Sequence, residues 1–148
     1  RVINAARPRF VRFRTLTVLP GTPLAQRYAT GDFPLLSEDE IIFDLRRLLL
    51  LLDDEPRYIA SDHAMNLLEG VEGNWPEDKA KMLQVIDGYL NLPPAMRLHF
   101  RLGRRAGYYR YLEDMADLSR RQMVEKMAAG LSTTELEEAI AAMQRMYL

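Results

Sequence analysis

From Phe10 to Leu19 the residues are mostly β-branched, aromatic or aliphatic, with Arg12, Arg14, Thr15 and Thr17 set among them. That pattern predicts a strand of about 8 to 10 residues. Alternation puts Phe10, Arg12, Arg14, Leu16 and Val18 on one side and Val11, Phe13, Thr15, Thr17 and Leu19 on the other. Neither side is pure hydrocarbon, so the strand is expected to be buried on both faces or to line a polar site. Pro20-Gly21-Thr22-Pro23 ends it, because proline removes ladder donors and glycine permits the turn into a loop.

The next pattern is helical. Ser37-Glu38-Asp39-Glu40 forms a capping box, followed by Ile41, Ile42, Leu45, Leu48, Leu49 and Leu52 at helical spacing. A helix from about 38 to 53 follows, with Leu36 placed to staple against Ile41. Leu50 and Leu51 widen the apolar stripe, which predicts packing against two neighbours. Asp53-Asp54-Glu55-Pro56 ends the helix, and Arg57 to Ser61 reads as a second strand running into Asp62 and His63. Strand, helix, strand is a right-handed parallel crossover, which sets both strand ends on one rim.

Beyond Gly73 the chain reads as helix. Pro76, Glu77 and Asp78 make a first turn, and Met82, Val85, Ile86, Tyr89 and Leu90 form one face before Pro93-Pro94. Met96 to Leu102 alternates like a strand, yet Pro94 opens a helix well and Arg97, Arg101, Arg104 and Arg105 fall on one helical face. Helix is the expectation there. Two more helices close the chain, Ser119 to Ala129 before Gly130, and one from the capping box Ser132–Glu135 to Tyr147 with Leu136, Ile140, Met143 and Tyr147 inward.

The 148 residues suit one domain; 48% are apolar, 28% are charged and the net charge is -1, which excludes a disordered or broadly nucleic-acid-binding composition. There is no cysteine, so this chain has no disulfide, thiolate metal site, cysteine nucleophile or thiolate-held iron–sulfur cluster. The longest apolar run, Leu48 to Leu52, falls far short of the roughly 20 residues of a membrane helix. A cytoplasmic location is expected. Arg1 to Ala6 resembles the tail of a helix begun upstream, so the chain is expected to be part of something larger.

Asp62, His63 and Asn66 form the leading polar cluster, since the carboxyl end of a strand in a βα unit presents side chains to a bound substrate. The structural alternative is loop hydrogen bonding and capping. Arg12 and Arg14 offer guanidinium groups for a carboxylate or phosphate, with Arg14 nearer the strand end, or else form internal ion pairs. The arginines at 97, 101, 104, 105 and 110, with Tyr108, Tyr109 and Tyr111, make either an RNA or phosphate surface or a solvated helix face. Pro20-Gly21-Thr22-Pro23 lacks the spacing and lysine of a phosphate loop. Neither histidine has a partner at metal-ligand spacing. Met123, Met127, Met143 and Met146, at helical spacing, are expected to fill core.

The stretches "RFVRFRTLTVLPGTPLAQ", "YIASDHAMNLLEGVEGNWPEDKAKMLQVID" and "FRLGRRAGYYRYLEDM" resemble the carboxyl-terminal part of bacterial radical S-adenosylmethionine proteins. The resemblance covers Arg1 to roughly Met115. It implies an α/β fragment, predominantly helical, with two short parallel strands of an incomplete (β/α) barrel (1–92, the closing βα segment) and a helical extension (93–148). It also implies a parent enzyme of unknown substrate, using S-adenosylmethionine and a 4Fe-4S cluster held by a CxxxCxxC loop that this chain lacks. No catalytic and no metal-binding residue is expected here. Within the parent, Arg14, Thr15 and Thr17 are implied to lie near the cofactor, and Asp62, His63 and Asn66 near cofactor or substrate. The implied partner is the amino-terminal remainder of the barrel. Self-association through exposed strand edges is expected of the isolated chain, and membrane and nucleic-acid partners are not. The alternative is a self-contained helical module for protein interaction or RNA binding.

Overall fold

The computed structural model describes residues 1–146, so the inward placement expected of Tyr147 lies outside the described residues. The elements are α1 (Val2–Ala6), β1 (Phe10–Arg12), α2 (Pro23–Ala29), α3 (Glu38–Leu51), β2 (Arg57–Ala60), β3 (Gly73–Trp75), α4 (Lys79–Leu90), α5 (Pro94–Arg105), a 3-10 turn (Leu112–Ala116), α6 (Leu118–Ala128) and α7 (Thr133–Arg145). β1 and β2 are parallel, with Phe10 opposite Tyr58 and Arg12 opposite Ala60, and α3 lies between them in sequence as the crossover.

The sheet has a third strand that the pattern did not announce. β3 pairs antiparallel with the other side of β2, Trp75 opposite Arg57, giving a mixed sheet in the order β1-β2-β3. Gly73-Asn74-Trp75 carries no alternation to betray it. What holds it is Trp75, fully buried, whose indole N–H donates to the Asp53 carbonyl at 2.6 Å. α4 consequently starts at Lys79, later than Pro76, because the Asp78 carboxylate turns back to accept the Asn74 N–H at 2.8 Å. Gly73 permits this approach: its φ is +144° and a Cβ there would sit 2.4 Å from Asp78 Oδ2.

β1 is also shorter than its sequence suggests. The ladder ends at Arg12 because β2 turns away after Ala60. Burial nevertheless alternates for several residues more, with Val11, Phe13, Thr15 and Thr17 half-buried and Phe10, Arg12, Arg14 and Leu16 exposed. After the Pro20-Gly21 turn an unexpected short helix, α2, begins. Its signal is local: Thr22 accepts the Ala25 N–H at 3.2 Å and Pro23 fills the first helical position.

The capping box of α3 forms as read, with Ser37 N–H donating to Glu40 at 2.7 Å and Glu40 N–H to Ser37 Oγ at 3.3 Å. Ile42 and Leu49 point into the core, but Phe43, Leu50 and Leu51 are 56, 49 and 66% exposed. The helix therefore packs on one neighbouring layer, not two, and Leu36 before it is 47% exposed. Single-sided cover also corrects the methionines: Met123, Met127 and Met146 are exposed, and of the four only Met143 is packed against the core. One hydrophobic cluster joins Leu49, Ile59, Trp75 and Ile86 to Phe100 and Ile140, so the core runs across residues 92 and 93 without a break. Burial of each such side chain contributes about 1.5–3 kcal/mol.

Candidate functional site at the carboxyl ends of the parallel strands

Arg12 leaves the last residue of β1 on its exposed face, and Asp62 follows β2 by two residues. They meet in a bidentate pair, Nε to Oδ1 at 2.7 Å and Nη2 to Oδ2 at 3.1 Å. This hydrogen bond holds the Asp62 carboxyl below its ordinary range, with the nearby charge of Arg14 adding to the effect. Both partners are well exposed, so solvent screens the attraction. Arg14, one alternation further along, makes no hydrogen bond or ion pair among the described residues. The arginine available to a ligand is thus Arg14, while Arg12 is committed to Asp62.

Asn66 is buried and uses every polar valence of its amide. Its Oδ1 accepts the Thr15 N–H at 3.1 Å; its Nδ2 donates to the Phe13 carbonyl at 3.0 Å and to Ser61 Oγ at 3.1 Å. The Thr15 hydroxyl lies 3.1 Å from Asn66 Oδ1 and 3.2 Å from the Met65 carbonyl, and Ser61 Oγ donates to the Leu68 carbonyl at 2.8 Å. The asparagine amide therefore takes the place of the next residues of β2 beside Phe13 and Thr15. His63 sits in the loop between, its Nδ1 accepting the Met65 N–H at 3.4 Å and its carbonyl the Asn66 N–H at 2.8 Å. Of the residues expected near a ligand, Thr15 and Asn66 are fasteners, Asp62 is paired, and Arg14, Thr17 and His63 are the ones left with side-chain capacity.

The structure adds a second layer behind this rim. The arginines of α5 are not a solvated stripe: the side chains of Arg97, Arg101, Arg104 and Arg105 are only 20, 12, 11 and 2% exposed. Arg105 pairs with Glu38 and donates to the Met65 carbonyl at 2.9 Å and the Ala64 carbonyl at 3.3 Å. Arg104 pairs with Glu69 and reaches the Asn66 carbonyl at 3.3 Å. Arg101 joins Glu38, at 2.9 Å, to Glu137 of α7, and Arg97 pairs with Asp39 at 2.9 Å. Glu38 thus serves two guanidinium groups from the first turn of α3. The helices α5 and α7 are tied through these charges to the loop that carries Asp62 to Asn66. Helical spacing of the arginines was visible in the sequence, but their acids lie 35 to 67 residues away.

Among the described residues no group of three or more histidine, aspartate or glutamate side chains is arranged to hold a metal ion. None of their helices is long and apolar enough to cross a membrane. No family model, curated protein or solved structure matches the chain.

Proposed function

We propose that the chain is the closing βα segment of a radical S-adenosylmethionine enzyme, cytoplasmic and of unknown substrate. It completes an incomplete (β/α) barrel and contributes rim residues, with no catalysis of its own. The observation that carries this reading is the parallel pair β1–β2, joined through α3, whose carboxyl ends bring Arg12 to Asp62 and Thr15 to Asn66. Ligands of α/β sheets bind at that end of the strands. Arg14, Thr17 and His63 are the side chains free to face a ligand. The donor set does not fit an iron–sulfur cluster, because the chain has no cysteine, so no step of the reaction is assigned to these residues. The cluster and S-adenosylmethionine belong to the parent, as does the remainder of the barrel.

Anaerobic reconstitution with iron and sulfide tests the reading on the chain and on the longer polypeptide encoded with it. The expected result is no cluster absorbance from the chain and a cluster from the parent. A parent that takes up no cluster overturns the family reading. It would leave a second reading, a self-contained helical interaction module, which the unbroken core from Leu49 to Ile140 favours. RNA binding through α5 has no such support, since its arginines are consumed by internal ion pairs.

A further inference from the structure

The outer edge of β1 is open. Tyr58 N–H donates to the Arg9 carbonyl at 2.8 Å and Phe13 N–H to the Ala60 carbonyl at 2.9 Å. This register turns the odd-numbered backbone groups of β1 toward β2 and the even-numbered ones away. Asn66 continues the arrangement by taking the Phe13 carbonyl and the Thr15 N–H on the inner side. The N–H and C=O groups of Phe10 and Arg12 therefore point outward, as by the same alternation do those of Arg14 between the two groups that Asn66 holds, and no backbone partner meets them among the described residues. The side chains of these three residues and of Leu16 are exposed, with Phe10 stacked beside Tyr58, ring centroids 6.1 Å apart.

An open edge of this length is a template for another strand. Its charge selects which. Residues 1–31 contain six arginines and no acidic residue. Arg12 is partly neutralised by Asp62, while Arg9 and Arg14 have no ion pair among the described residues. A second copy pairing edge to edge sets arginines beside arginines, and like charges on adjacent strands are destabilising. A strand with carboxylates at those positions reverses the sign, and apolar side chains beside Phe10 and Leu16 cover surface that is now 55 and 53% exposed.

We infer that the β1 edge is a docking surface for an extended segment with apolar side chains opposite Phe10 and Leu16 and carboxylates opposite Arg12 and Arg14. This deepens the barrel reading and rests on it only for the source of the segment, the neighbouring strand of the parent. The test is amide hydrogen exchange on the full chain with two synthetic peptides, Val-Thr-Glu-Thr-Glu-Thr-Val and the same peptide with lysine for glutamate. Each reads the same in both directions at its alternate positions, so strand orientation does not matter. The glutamate peptide is expected to slow exchange at Phe10, Arg12, Arg14 and Leu16 by about tenfold at saturation, leaving Val11 and Phe13 unchanged. The effect weakens with salt, and Arg14→Glu shifts preference toward the lysine peptide. Equal slowing by both peptides, or no slowing at these amides, overturns the inference. So does slowing produced by raising the protein concentration alone, which assigns the edge to a second copy. A parent without a cluster removes the family reading and leaves the exchange result standing.

Discussion

An asparagine side chain carries the same amide group as a peptide bond, and Asn66 uses it to continue a ladder that β2 has abandoned. Its two donors and two acceptor positions are satisfied by Phe13, Ser61 and Thr15. Asn66→Ala leaves the Phe13 carbonyl and Thr15 N–H without these partners, and the expected loss is about 2–4 kcal/mol in urea unfolding. Gly103 makes an opposite kind of demand. Alanine in a helix interior normally gains about 1 kcal/mol over glycine, but a Cβ at Gly103 meets the Tyr109 ring at 2.2 Å. The clash exceeds the propensity gain, so Gly103→Ala is expected to destabilise by about 1–3 kcal/mol. The pH dependence also belongs to single residues. Burial lowers the pKa of His99, whose Nε2 lies 2.8 Å from the Tyr109 hydroxyl. A base whose folded pKa is depressed contributes stability above its unfolded value and loses it as pH falls. Between about pH 7.5 and 5.5, the thermal midpoint of the wild type should therefore fall further than that of His99→Gln.

The elements differ in how much of them could be read from the chain. The capping boxes at Ser37 and Ser132 were legible because donor and acceptor lie three residues apart, and both form. Strand length was not, since the end of β1 is decided by where β2 departs, some fifty residues on. β3 escaped because three residues hold no period, and its anchor is the burial of one indole. The polar cluster Asp62, His63 and Asn66 stood out in the sequence, but the contacts its members make depend on Arg12 and Thr15, which only the fold brings near. The arginines of α5 show the same limit more sharply. Their spacing was plain, whereas their burial depended on Glu38, Glu69 and Glu137. Removing one member of such a buried pair leaves an uncompensated charge and costs about 3–5 kcal/mol. Arg105→Met and Glu38→Gln are each expected to show a loss of that order, and the double variant should lose less than the sum of the two. Exchange of the Thr15 amide should quicken in either single variant, because the loop carrying Asn66 is held by Arg105 and Arg104.

At the scale of the molecule, two features stand together: a continuous core shared by all the longer helices, and a parallel sheet edge left bare. The core joins the longer helices to the sheet from Ile42 to Ile140. The bare edge leaves Phe10, Leu16 and Leu19 at least half exposed, and on the reading proposed above it is where the neighbouring strand of the parent belongs. The helices α5 and α7 buttress the loop from Asp62 to Asn66 through buried charges, and on the reading proposed above the chemistry belongs to the parent. The most direct measurement is 5′-deoxyadenosine formation by the reconstituted parent, with and without residues 1–148, under strong reductant. The expected result is cleavage of S-adenosylmethionine by the complete polypeptide, its loss on deletion of this segment, and at least partial recovery when the segment is added in trans. Undiminished cleavage without the segment, or none from the complete polypeptide, would overturn the barrel reading.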